Sequence, residues 1–192
     1  MTSQIRFKFN AKKAAQAANW LLRRSGGRRN YMELVKLLYL ADRQALIDLD
    51  SQITGDSLAS LPHGTVLSHI LNLIRRGPTN VEDAPWFESV SAPSGYDVEA
   101  IGNSGESELS GAEVRVLENV FAIYGRYDWK QLSVLTHKLP EWTDPGAGSN
   151  PISIEQVLRL VGKSAQQVEA IRKELSVFQR LDWEVAALQP EE

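Results

Sequence analysis

The sequence contains no cysteine among its 192 residues. Disulfides, thiolate metal sites, redox centres and a cysteine nucleophile are therefore excluded together. Long apolar runs are also missing. None approaches the roughly 18 residues that would span a bilayer, so no membrane partner is expected. The opening stretch MTSQIRFKFNAKK has no apolar core followed by small residues and does not read as a secretory signal. A cytoplasmic location is the expectation. Histidine is scarce. His63, His69 and His137 stand far apart, with no second His or carboxylate at the helical spacing that a metal site favours. The sequence has no GxxxxGKS/T phosphate loop and no GxSxG elbow. Gly26-Gly27 lies between arginines, but it follows a helical pattern rather than a strand and lacks the context of a nucleotide fingerprint. No cofactor and no metal are expected.

What is present is ordinary in amount and uneven in placement. With 43% hydrophobic and 23% charged residues, the chain is globular rather than disordered. The net charge of −3 argues against an extended basic nucleic-acid binder. Yet residues 1–76 hold 12 Lys and Arg against 5 Asp and Glu, a net +7, while residues 77–192 hold 9 against 19, a net −10. Either the molecule is bipolar and meets a charged partner, or its halves pack together and neutralise each other.

The pattern along the chain is mostly helical. Ile5, Phe7 and Phe9 alternate with Arg6 and Lys8, which predicts a half-buried strand. Asn10 caps a predicted helix to about Arg24, striped by Ala14, Ala17, Ala18, Leu21 and Leu22. A second helix, about Tyr31 to Leu49, is apolar around most of its circumference and should be central. Its Lys36, Tyr39 and Arg43 share the remaining face. Residues 53–65 read as a loop, and a short helix from Val66 follows, ending at Gly77-Pro78. Trp86 to Val90 and Tyr96 to Ile101 predict a hairpin, with the N-terminal strand as its third partner. Starts of the type Ser110/Glu113, Asp128/Gln131, Ser153/Gln156 and Ser164/Gln167 predict helices at about 111–124, 129–138, 154–162 and 165–181. The expected fold is thus mainly α: a compact helical domain around a central apolar helix, with a small antiparallel β-sheet. The expected division is a helical domain over residues 1–145 and a C-terminal helical pair over 146–192, packed on the same domain.

Three constellations could carry function. Arg23, Arg24, Arg28 and Arg29 flank one glycine turn and offer planar donor forks to an anionic partner, and Arg75-Arg76 form a second, smaller cluster. Nucleic acid is the weaker candidate partner, because these cations are not interleaved with exposed aromatics. His63 could pair with Asp42 or Asp56 as an acid–base couple, although no nucleophile is evident nearby. Five tryptophans supply candidate core or interface anchors, Trp183 beside Val185 among them.

KLLYLADR at 36–43, LPHGTVLSHILNLI at 61–74, LSGAEVRVLENVFAIYG at 109–125 and LSVLTHKLPEW at 132–142 together, in order and spacing, resemble the Panacea domain, the SocA-like antitoxin domain. The family pattern usually has Gly-Pro-Val where this chain has Gly64-Thr65-Val66, and Thr65 is expected to cap the following helix instead. The resemblance implies a non-enzymatic antitoxin of a bacterial or prophage toxin–antitoxin system. Its partner would be a cognate toxin protein, bound and occluded. A cytosolic protease is a second implied partner in an adaptor role, and homo-oligomers are compatible with the pattern. The matching motif positions include Lys36, Tyr39, Asp42, His63, Gly64, His137 and Trp142.

Overall fold

The computed structural model describes residues 4–78 and 80–187, with side chains up to Leu181. Its first helix, α1 (Ala11–Arg24), starts on the Asn10 side chain, which accepts from Lys13 N at 2.9 Å. A short strand β1 (Arg28–Asn30) leads into α2 (Tyr31–Asp48). Then come β2 (Leu58–Leu61), β3 (Gly64–Leu67), α3 (Ser68–Arg76), α4 (Ala84–Ser89) and β4 (Asp97–Glu99). The chain ends with α5 (Gly111–Tyr124), α6 (Trp129–His137), β5 (Asn150–Ile152), α7 (Ile154–Leu160) and α8 (Ala165–Ala187). The fold is mainly α with two small antiparallel sheets, ordered β1-β4 and β3-β2-β5.

Helix α2 is the centre, as its composition requires. Leu34, Leu37, Leu38, Ala41, Ala45 and Leu46 are fully or almost fully buried. It touches α1, α3, α5, α6, α7, β1 and β3. Helix α1 packs most heavily on α4, where Asn19 Nδ2 donates to Ser89 O at 2.9 Å and Trp86 is wholly enclosed. Truncating a side chain so enclosed costs about 3–5 kcal/mol. Three of the expected helix starts form reciprocal caps, at Ser110/Glu113, Asp128/Gln131 and Ser164/Gln167. At Ser153 the hydroxyl accepts from Gln156 N.

The strands differ from expectation. Residues 5–9 keep the predicted alternation of burial, with Ile5 2% exposed, but they join no sheet. Ile5 N donates to the Glu155 carboxylate and Asn10 N to Thr54 O, so these amides are satisfied outside any ladder. The expected hairpin is much reduced. Pro85 lies in the first turn of α4, and Trp86–Ser89 continue as a helix with Trp86 buried. What remains of the hairpin is two antiparallel bridges, Val90 to Ala100 and Ser94 to Asp97. The second predicted strand shrinks to β4, which pairs with β1 through Arg28↔Glu99, Arg29↔Val98 and Asn30↔Asp97. The expected loop 53–65 contains β2 and the start of β3. Thr65 is a strand residue rather than a cap, and α3 begins at Ser68. Its first free amides are met from a distance: the Asp56 carboxylate accepts from His69 N at 2.9 Å and from Ile70 N at 2.8 Å.

The charge asymmetry resolves largely into internal pairing. Lys12, Lys13, Arg24, Arg28 and Arg43 pair with Glu108, Glu113, Glu118, Asp97 and Glu141 respectively. Among the described residues, no helix is long and apolar enough to cross a membrane.

Candidate functional site

Five of the seven motif positions, Lys36, His63, Gly64, His137 and Trp142, converge on one turn. Between β2 and β3 the chain reverses through Leu61-Pro62-His63-Gly64, and the outward carbonyls of this turn are each taken by a side chain. Trp142 Nε1 donates to Leu61 O at 3.1 Å. His137 Nε2 stands 2.8 Å from Pro62 O, with its ring edge-on to Trp142. His63 O accepts from Lys36 Nζ at 2.6 Å and from Ser133 Oγ at 2.7 Å. Ser133, Thr136 and His137 lie three and four apart, so α6 presents all three on one face.

Lys36 is the keystone of this clasp. It is fully buried, and among the described residues no carboxylate pairs with it. Its ammonium instead meets His63 O, Thr136 Oγ1 at 3.0 Å and, more weakly, Thr65 O at 3.4 Å. Three protons for three acceptors leave none free. Burial without a counter-charge pushes its pKa down to about 8. Gly64 is where the fit is tightest. Its φ is +99°, and an added Cβ would overlap the Thr136 hydroxyl and stand 2.9 Å from Lys36 Nζ.

Two further buried acids fix α2 to the rest. Tyr39 Oη donates to Glu141 at 2.9 Å, and Arg43 Nε reaches the same oxygen at 2.7 Å. Burial, and then the Glu141 charge, hold the Tyr39 phenol well above its usual range. One turn on, Asp42 accepts from Ile53 N and Thr54 N at 2.9 Å each, from the Thr54 hydroxyl, and from Gln52 Nε2 at 3.2 Å. Complete burial raises its pKa to about 7 against the pull of these bonds. Lys36 and Asp42, six residues apart, thus have separate partners, as their spacing requires.

Beside the clasped turn lies a cleft of about 470 Å³. The start of α2 supplies Tyr31, the approach to β4 supplies Tyr96, α6 supplies Trp129, and the last turn of α3 supplies Arg75. Tyr31 and Tyr96 stack with centroids 6.1 Å apart. The Arg75 guanidinium lies 5.7 Å above the Tyr31 ring. His63 meets Trp129 edge-on at 6.2 Å. Tyr96 is 70% exposed and Trp129 42% exposed.

The four arginines of the glycine turn separate. Arg29 turns inward, donating to Ser25 Oγ, Gly125 O and Tyr127 O and pairing with Glu33 at 2.9 Å. Arg28 binds Asp97 and Glu99 on the neighbouring strand. Arg24 stacks on Trp20 at 4.6 Å and reaches Glu118 at 3.6 Å. Arg23 is exposed and makes no ion pair among the described residues. The His63 acid–base couple does not form. His63 is exposed, while Asp42 and Asp56 are buried and filled by backbone and side-chain donors of residues 52–57, 69 and 70. The His–Asp contact that does exist joins His69 Nε2 to Asp83 at 2.9 Å. Among the described residues, no group of three His, Asp or Glu side chains gathers where it could hold a metal. Trp183 and Val185 lie outside the described side chains.

Glu141, Ser133 and Thr136 are the site residues that motif reading passed over, whereas Arg75 belonged to the smaller basic cluster. A Tyr39/Arg43 pair on an otherwise apolar helix signals a buried carboxylate partner, which the fold supplies as Glu141. The family model for the antitoxin SocA-like Panacea domain matches residues 34–143. The match opens two residues before Lys36 and closes one after Trp142, so it encloses the whole clasp. No curated protein and no solved structure matches.

Proposed function

The chain belongs to the SocA-like Panacea antitoxin-domain family, and from that membership we propose that it neutralises a cognate toxin protein by binding and covering it. The observation that carries the reading is the match over residues 34–143, which covers all but the first turn of the central helix and every member of the clasp. The site's chemistry accords with it. Lys36, Asp42 and Glu141 are buried and engaged in bracing backbone or other side chains, a scaffold's arrangement. A stable complex of this kind buries about 1,600 Å² in total. Such an area requires a rigid platform, and the clasped turn beside α2 and α6 is one. The exposed Arg23, with Arg24 and Arg28 near it, supplies guanidinium contacts at the rim, whereas Arg29 works inside the domain.

Co-expression with the adjacent open reading frame tests the reading. The neighbour alone should arrest growth, and this chain should restore it and co-purify with the neighbour. A harmless neighbour, or a toxic one that this chain does not rescue, would sink the proposal. With rescue established, Arg23→Glu should weaken the complex through its association rate and its salt dependence.

A further inference from the structure

We propose that the cleft between Tyr31, Tyr96 and Trp129 seats an acidic segment of a protein partner, which inserts an aromatic side chain and sets a carboxylate against Arg75. That this partner is the neutralised toxin rests on the antitoxin reading; the chemistry of the cleft does not.

Three features point the same way. The first is size. About 470 Å³ falls within the range of specific pockets, roughly 300–1,000 Å³. The second is exposure. Trp20 and Trp86 are buried in the core, yet Tyr96 and Trp129 face water across a shared hollow. Rings held rigid and exposed in a concavity are the usual anchors of protein recognition. The third is charge. Every ionisable group that lines the hollow, apart from the two phenols, is basic: Arg75, His63 and Lys36. The nearby acids are engaged elsewhere. Glu33 pairs with Arg29, Asp97 with Arg28, and Asp128 caps α6.

Arg75 is the recognising group. It has no ion pair among the described residues, and its guanidinium is held over the Tyr31 ring, 5.7 Å from the centroid, with Nη2 3.6 Å from the Met32 sulfur. A fork oriented in advance loses little entropy when a carboxylate arrives. Lys36 contributes field rather than contact, because its protons are already taken. A single free guanidinium fits one carboxylate better than the repeated phosphates of a nucleic acid.

The full chain, labelled with 15N, is titrated with N-acetyl-Asp-Trp-Glu-amide, with its Lys-Trp-Lys counterpart and with AMP. The indole N–H of Trp129 is assigned from Trp129→Phe. The acidic peptide should saturate shifts at Trp129 and Tyr96 with a Kd of about 1 mM, in the range of a single anchored side chain. The lysine peptide should bind about tenfold more weakly, and Arg75→Glu should invert that order. Absence of saturation, equal affinity for the two peptides, or tighter binding of AMP would each overturn the proposal. In the toxin complex, Tyr96→Ala and Arg75→Glu should each raise Kd at least about tenfold. If the native chain neutralises the toxin and both folded variants bind it unchanged, the cleft is not the seat and the antitoxin reading stands. If the acidic peptide binds as described but the native chain neutralises nothing, the antitoxin reading falls and the cleft stands.

Discussion

Replacing Gly64 by alanine should strain the clasp where it fits most tightly. Two effects add. At φ +99° a side chain meets left-handed strain of about 1–2 kcal/mol. The new Cβ also overlaps the Thr136 hydroxyl and stands 3.0 Å from Thr136 Cβ, so α6 or Lys36 must move. Movement breaks the Lys36–Thr136 bond, and a hydrogen bond to a charged group is worth about 1.5–3 kcal/mol. The expected loss is about 3–5 kcal/mol, a large share of the roughly 5–15 kcal/mol that holds a domain together. Urea denaturation followed by tryptophan fluorescence measures it. Gly102→Ala is the control: φ there is also positive, at +56°, but nothing lies within 4 Å of the added Cβ, so only about 1 kcal/mol should be lost. Thr136→Ala removes the overlapping hydroxyl, and the double-mutant cycle should return at least about 1 kcal/mol of favourable coupling. If Gly64→Ala loses no more than Gly102→Ala, or the cycle shows no coupling, the clasp is not the close-fitted contact described above.

Lys36 should make stability rise with pH. Its folded pKa, about 8, lies below the ordinary 10.5, so between these values the unfolded chain binds the extra proton. Stability relative to Lys36→Met should therefore climb from pH 8 towards 10.5, by up to about 1.4 kcal/mol per pH step, and a flat difference would refute the assignment. Comparison with the variant removes Tyr39, whose raised pKa acts in the opposite direction above pH 10. Asp42→Ala strands the donors of Ile53, Thr54 and Gln52 and should cost about 3–5 kcal/mol, with faster amide exchange at Ile53 and Thr54 as the local signature. Trp142→Phe keeps a ring against His137 but deletes the bond to Leu61 O; a loss of about 1 kcal/mol in thermal or urea unfolding is expected.

Local signals were legible and distant ones were not. The starts of α1, α5 and α6 could be placed because each cap lies within three residues of the amide it satisfies. The centrality of α2 followed from its apolar circumference. Strand pairing had no such local mark: Arg28–Asn30 meets Asp97–Glu99 and Leu58–Ser60 meets Asn150–Ile152, and nothing in these triplets names the other. Trp86–Val90 carried the β-prone residues of a strand, yet Pro85 in the first turn and the packing of α4 on α1, with Trp86 enclosed, made most of it helix. The same holds for the site. Lys36, His63, His137 and Trp142 were visible as members of a pattern, but the fold alone brings residues 36, 63, 133 and 142 to one turn.

The pairing of β5 with β2 has a consequence for any shortened form of this chain. β5 is the outer strand of its sheet, and Pro151 at its middle has no N–H to offer a newcomer. A chain ending before residue 150 would lose that cover. The row of amides and carbonyls along Leu58–Ser60, with no proline among them, would then face water as a template for another strand. Copies truncated there should self-associate edge to edge, so that Asn150–Ile152 act as a guard on the sheet.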